Sequence, residues 1–221
     1  MDQEEVYPFH TLPDYLATGL RLVLVGLNPG TYSVQKGHYY ARSTNRFWPA
    51  FSRSRLSLPI RTALGRDILT PEDDATLLSF GIGFTDVVKR SSGNASELTS
   101  TDYQEWAPRL KGRLERYHPA VACFHGVTGY GAFLRCAIGE PKPHPQLGPQ
   151  PLTLGGPMSA ANSVQQPQDQ GTTRIFVVPN SSPANAHFTL ADQTTWYDRL
   201  ADFLSTSGAE PRHHDTRPSD A

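Results

Sequence analysis

Apolar residues along this chain gather in short dense runs separated by longer stretches of mixed periodicity. Arg21–Val25, Ala120–Phe124 and Arg174–Val178 each carry four or five consecutive apolar residues. Such runs suit strands buried on both faces. Phe84–Val88 reads as a fourth short strand. Between them, Arg46–Ser54 reads as an aromatic-rich helix, and Pro71–Phe80 as a short helix whose acidic first turn complements the helix dipole. Asp102–Tyr117 and Val127–Cys136 have helical spacing, and Leu190–Leu204 is an amphipathic closing helix. Strands alternating with helices predict an α/β three-layer sandwich with a central, mainly parallel four-stranded sheet flanked by helices.

One catalytic-size domain is expected over residues 13–205, with 1–12 as a flexible lead and 207–221 as a disordered tail. Residues 137–173, rich in Pro, Gln and Gly, form a long excursion within that domain. Ligands of such sheets bind outside the carboxyl ends of the strands. Four polar segments therefore converge on one crevice: Gly26–Tyr40, Phe84–Arg90, Phe124–Gly129 and Pro179–His187.

Composition narrows the class. The 221 residues are 38% hydrophobic and 19% charged, with a net charge of −1. No apolar run approaches the ~20 residues of a membrane span, so no membrane role is expected. The acidic, polar start MDQEEVYPFH lacks the character of a secretory or transit segment. Two cysteines, Cys123 and Cys136, are too few for a four-thiolate iron–sulfur or zinc site. No metal and no cofactor is expected, and a cytoplasmic monomer is the default. Charge is uneven, however. No Asp or Glu occurs from Tyr15 to Arg66, while Arg21, Lys36, Arg42, Arg46, Arg53, Arg55, Arg61 and Arg66 do. A local cationic field can steer a polyanion at zero net charge.

The loop after the first strand, GLNPGTYSVQKGHYYARSTNRFW, is not a phosphate loop, because Thr31-Tyr32 stands where such loops carry Lys and Ser/Thr. Gly26-Leu27-Asn28-Pro29-Gly30, Lys36–Tyr40 and Asn45-Arg46-Phe47-Trp48 resemble the mismatch-specific uracil/thymine-DNA glycosylases of the uracil-DNA glycosylase superfamily. GIGFTDVVKR at Gly81–Arg90, CFHG at Cys123–Gly126 and PNSSPANA at Pro179–Ala186 extend the resemblance in order over residues 13 to 205.

The resemblance implies a base-excision repair enzyme that flips uracil out of double-stranded DNA and hydrolyses its glycosidic bond, favouring G·U mispairs, in the cytoplasm of a bacterial-type cell on its nucleoid. A flipped base is required because its reacting atoms are inaccessible in the stack. Asn28 would hold the attacking water by position, since an amide is no strong base; the alternative is an Asx turn before Pro29. Backbone N–H groups of Leu27 and Tyr40 would bind the base edge, and the Tyr40 ring would stack on it, with Tyr39 as rival. Lys36, His38 and Arg42 would meet phosphates. Phe47 and Trp48 belong to the core.

Two departures stand out. Asp86 replaces the Asn or Lys of relatives and could accept a proton from water or stabilise a cationic sugar. The alternative is an Asp that caps or pairs with Lys89 and Arg90. Asn180 stands where many superfamily members carry histidine, and would donate a neutral hydrogen bond to the leaving base. Ser181 and Ser182 suit phosphate contacts. Pro183, Ala184 and Asn185 would form a wedge smaller than the Leu or Arg of relatives. His187 is as suited to structure as to phosphate. The motifs place no lysine for a Schiff base, so strand cleavage is not expected. A non-catalytic DNA-binding protein is one alternative. A hydrolase using Ser181, His187 and Asp86 is another, though it lacks the G-x-S-x-G turn.

Overall fold

The computed structural model describes residues 7–155 and 171–206. The expectations for residues 1–6, for the tail at 207–221 and for the middle of the 137–173 excursion lie outside the described residues. Strands β1 (Leu22–Gly26), β2 (Ile82–Asp86), β3 (Val121–His125), β4 (Gly148–Gly155) and β5 (Thr172–Val178) form one sheet in the order β2-β1-β3-β5-β4. The four strands read from sequence are parallel, and β4 adds a fifth, antiparallel to β5 at the edge. Its sequence, GPQPLTLG, contains two prolines and a register shift between Pro149 and Thr153. Proline cannot donate to a ladder and is confined to edges and bulges, which is why this segment reads as loop.

Alternation along the buried strands builds two cores. Leu22, Leu24, Ile82, Phe84, Val121, Cys123, Phe176 and Val178 face one side with residues of α1 (Thr31–Lys36), α2 (Phe47–Arg53), α3 (Leu58–Leu64) and α6 (Leu190–Ser205). Val23, Val25, Ala122, Phe124, Ile175 and Val177 face the other with α4 (Ser100–Tyr117) and α5 (Val127–Phe133). These are the expected three layers. Capping boxes start the two long helices: Thr99 with Asp102, and Thr189 with Asp192. Each satisfies two end groups reciprocally. Helix α4 therefore begins two residues before Asp102, and it ends at His118 in the left-handed region (φ 45°). Pro71–Phe80 is two 3₁₀ turns, Pro71–Asp73 and Thr76–Phe80. Val127–Cys136 is α5 followed by a π turn, Leu134–Ile138.

Residues 7–12, expected to be part of a flexible lead, are packed. Tyr7 and Phe9 lie against the Trp106 ring of α4, and Leu12 is buried. The chain then bridges the outer edge of β2, where Tyr15 N–H donates to Phe84 O (2.9 Å) and Phe84 N–H to Tyr15 O (3.0 Å). This bridge carries Asp14 to the Thr85 hydroxyl (2.6 Å).

The chain leaves β1 toward the α2/α3 side and leaves β3 toward α5 on the other side. The parting of these connections opens a crevice at the carboxyl ends of the two strands, the usual ligand position in such sheets.

The bridge makes a testable demand on Gly83. A Cβ there would overlap the Tyr15 carbonyl oxygen and crowd Leu20. Gly83→Ala should therefore cost about 1–3 kcal/mol, as overpacking does. Thermal denaturation should show Tm lower by roughly 2–4 °C per kcal/mol in a domain of this size. An unchanged Tm would show that the N-terminal segment moves aside freely.

Candidate active site

At the carboxyl end of the sheet, the period-two alternation sets Asp86, Gly26 and His125 in a row on the α2/α6 face. Asp86 is the register partner of Gly26, and His125 that of Val178. The bare Gly26 leaves room between its neighbours. An added Cβ would overlap Asp86 Oδ1 and lie 3.3 Å from the Tyr40 hydroxyl. That hydroxyl is 3.2 Å from His125 Nδ1, and His125 Nε2 is 3.0 Å from the Tyr197 hydroxyl. Burial pushes His125 down to about 4, so the imidazole is neutral and offers one donor and one acceptor. The two tyrosines therefore take opposite roles toward it.

Tyr40 is half-buried, with its ring stacked on Phe47 (4.3 Å between centroids, 22° between planes). Its backbone is left-handed (φ 55°), a costly conformation for an aromatic residue and one typical of functional sites. Its neighbours Tyr39 and Ala41 donate their N–H groups to Asp74 and Ser33. Among the described residues nothing accepts the Tyr40 N–H. Tyr39, the rival for the stacking role, is a core residue, and its hydroxyl donates to Pro13 O.

The Asn28 amide is oriented by its surroundings. Nδ2 donates to Arg90 O (3.1 Å) and Ser92 Oγ (2.8 Å), with Pro29 O at 3.3 Å. Ser92 Oγ in turn donates to Asn94 O (2.9 Å). Carbonyls only accept, so the NH₂ end must face them, and Oδ1 is the end left over. Backbone bonds Ser92 N–H to Pro29 O and Thr31 N–H to Ser92 O hold the same loop against the segment after β2. Asn180 is oriented the opposite way. Its Oδ1 accepts the Ser182 N–H (2.8 Å), and its backbone O accepts from Asn185 and Gln193. Its Nδ2 is the end without a partner among the described residues. One asparagine thus presents an acceptor and the other a donor.

Asp86 is 2% exposed, and its Oδ2 is sealed without a hydrogen-bond partner. Burial pushes its carboxyl up to about 7, opposed by Lys89 and Arg113 and assisted by Asp14. Lys89 Nζ lies 3.8 Å from Asp86 Oδ2 and 2.9 Å from Asp14 Oδ1. The expected Asp86–Lys89 pairing is therefore present, but Arg90 instead grips Asp102 at the start of α4 (2.7 and 2.8 Å).

The basic stretch is mostly structural. Arg55 pairs with Asp202 and Asp198, and Arg66 with Asp73. Arg46 is a clamp: its guanidinium donates to the backbone oxygens of Ser182, Asn185 and Phe188, pinning the 180–188 loop. Lys36 and Arg42 remain without an ion pair among the described residues, flanking the exposed Tyr32 ring at 5.7 and 5.8 Å. His38 is tied through Nδ1 to buried Asp74 (3.1 Å). In the loop after β5, Pro183 and Ala184 are exposed, Ser182 and Asn185 are half-buried, and His187 is exposed.

Ser181 is 1% exposed, contrary to the expectation that its hydroxyl meets a phosphate; of the two serines only Ser182 is partly exposed. With Ser181 buried and His187 exposed, no Ser–His–Asp arrangement exists with Asp86. Sequence reading missed Asp14, Tyr32, Ser92, His125 and Tyr197, and it had Arg46 as part of a cationic field. Only the exposed aromatic between two cations left a local signal.

Burial of Asp86 predicts a stability cost. A carboxyl whose folded value (about 7) exceeds its ordinary value (3.8) stabilises the fold only at low pH. Its contribution is lost as pH rises from about 4 through 7. Asp86→Asn should therefore raise the unfolding free energy at pH 8 by an amount on the order of a few kcal/mol, read as a higher Tm, and flatten the pH dependence over that window. A lower Tm at pH 8 would mean that the ionised carboxylate is net stabilising.

Comparison with known proteins agrees with this geometry. The sequence model described as "UDG: Uracil DNA glycosylase superfamily" matches residues 13–204. A relative from Schizosaccharomyces pombe, the "G/U mismatch-specific uracil DNA glycosylase", is 33% identical over 120 residues, 54% of this chain and 34% of the relative. The matched part thus spans about a third of that protein's length. With the family match running through both asparagine loops and nearly the whole sheet, the chain belongs to the uracil DNA glycosylase superfamily.

Proposed function

We propose that the protein is a monofunctional DNA glycosylase that hydrolyses uracil from double-stranded DNA, with G·U mispairs favoured, and leaves an abasic site. The observation that carries this reading is the opposed orientation of the two asparagine amides at the carboxyl end of the sheet. Hydrolysis of a glycosidic bond needs an acceptor for the attacking water and a donor for the base that leaves with the bonding electrons. Asn28 Oδ1 and Asn180 Nδ2 supply that pair.

In this reading the uracil edge meets the Leu27 and Tyr40 N–H groups, and the Tyr40 ring, backed by Phe47, stacks on the base. Stacking of this kind contributes about 1–3 kcal/mol. As the N1–C1′ bond breaks, the uracil departs as an anion and positive charge gathers on the sugar. The water oxygen then bonds C1′. Asp86, its Oδ1 beside Gly26, offsets that positive charge or takes the proton the water gives up. Lys36, His38, Arg42 and Ser182 serve the phosphates, and Pro183, Ala184 and Asn185 fill the vacated helix, held in shape by Arg46. Lys89 is fully buried against Asp14, which supports a mechanism without a Schiff base. The G·U preference is supported by the name of the Schizosaccharomyces pombe relative.

Single-turnover release of uracil from a labelled G·U duplex tests this directly. Asn28→Ala should slow excision by about 100-fold or more, because loss of positioning alone costs that much, while duplex binding stays near wild type. A wild-type protein that binds the duplex and releases nothing would instead support a non-catalytic DNA-binding role.

A further inference from the structure

The cluster behind Asp86 is larger than a salt bridge and reaches into the N-terminal segment. Lys89 is fully buried, and its ammonium lies between Asp14 Oδ1 (2.9 Å) and Asp86 Oδ2 (3.8 Å). Asp14 is held by four groups at once: the Thr85 hydroxyl (2.6 Å), Lys89, the Tyr7 hydroxyl (2.7 Å) and Arg113 Nε (3.5 Å). Burial opposes its charge, yet Lys89 and Arg113 hold its carboxyl below the ordinary range. Asp14 is thus a fixed anion. Arg113, from α4, also donates through Nη2 to the Asp86 backbone O (3.2 Å).

The groups around the Asp86 carboxylate can be named for every packed element. They are Lys89 on its own turn, Asp14 from the N-terminal segment, Arg113 from α4, and Tyr39 and Tyr40 from the loop after β1. From β1 only the bare Gly26 faces it, and β3 contributes the neutral His125 through Tyr40. Excluding Asp86, the charges of Asp14, Lys89 and Arg113 sum to +1, so an ionised Asp86 completes a neutral cluster. The carboxylate has two unlike sides. Oδ2 faces the ammonium, and Oδ1 occupies the space beside Gly26 where a Cβ would stand.

We propose that Asp14 and Lys89 are positioning residues that act through Asp86: they share one ammonium between a fixed carboxylate and a reactive one, and so set the pH at which Asp86 becomes charged. This rests on the role given to Asp86 in the glycosylase reading. Asp14 draws Lys89 toward itself at the shorter distance, leaving Asp86 weakly paired and able to cycle a proton. Were Lys89 fully given to Asp86, the carboxylate would stay ionised and be a poor base. Were Lys89 absent, it would stay protonated in its buried setting.

The two residues therefore pull in opposite directions, and no purely structural role predicts that. The experiment is the pH dependence of single-turnover uracil excision from a G·U duplex, from pH 5 to 9, with the full chain. In wild type the rate should rise with pH as Asp86 loses its proton. Asp14→Asn, nearly isosteric, should move that rise to lower pH, because an anion is removed and the ammonium is released to Asp86. Lys89→Met should move it to higher pH, and Lys89→Arg should restore it toward wild type. Each shift should be about one pH unit or more, as for charges within ~4–6 Å.

A carboxyl-¹³C NMR titration of Asp86 in the same variants reads the same shifts without any reaction. It also decides the matter if Lys89→Met does not fold, since Asp14→Asn then carries the test. Shifts of the same sign, or none, in the NMR titration overturn the proposal. If the NMR shifts are as expected but the rise in rate persists in Asp86→Asn, the cluster tunes a carboxyl that the reaction does not use. In that case the reading of Asp86 fails, and the proposal with it.

Discussion

Everything at this site turns on a residue with no side chain. Gly26 ends β1, between Asp86 on β2 and His125 on β3, and a Cβ there would overlap Asp86 Oδ1 and press on the Tyr40 hydroxyl. The empty volume lets a carboxylate from one flanking strand and a phenol bonded to the other approach the same few ångströms of backbone. Two residues later Asn28 is locked by Arg90 O and Ser92 Oγ. The sheet provides the rigid floor that such positioning demands: β1, β2 and β3 are buried along their whole length, and the loops above them are laced together by backbone and side-chain bonds.

The energetic pattern is that of a fold that concentrates its cost in one place. The two apolar cores fill both faces of the sheet. Against that background, a buried carboxylate with an oxygen that accepts no hydrogen bond, a fully buried lysine and a left-handed tyrosine are each unfavourable locally. They occur together, around one strand end. The 180–188 loop shows the complementary pattern. Arg46 takes three carbonyls of the 180–188 loop, so a loop of small side chains keeps a defined shape without a core of its own.

Much of this was legible in the sequence, for physical reasons. Runs such as LVLV and IFVV can be little else than buried strands, and the asparagine after the first strand exit marked the crevice. What was not legible depended on distant partners. The prolines of β4 disguised an edge strand. Tyr7, Phe9 and Leu12 looked like a lead because their partner Trp106 lies about a hundred residues on. The arginine-rich stretch looked like an anion-binding face, but its acidic counterparts, Asp73, Asp198 and Asp202, lie outside it in sequence. Asp86 could be noticed as a departure, whereas its coupling to Asp14 through Lys89 needed the bridge between Tyr15 and Phe84.

On the glycosylase reading, the uncovered face of Gly26 is where Asp86 and Tyr40 meet the reacting nucleotide. Single-turnover excision by Gly26→Ala tests it most directly, with folding confirmed by Tm and duplex binding measured in parallel. The expected result is a folded, duplex-binding protein whose excision falls by about 100-fold or more, because the Cβ displaces the Asp86 carboxylate and crowds the Tyr40 hydroxyl. Excision at the wild-type rate would show that neither group is needed at that face and would overturn this role for Gly26.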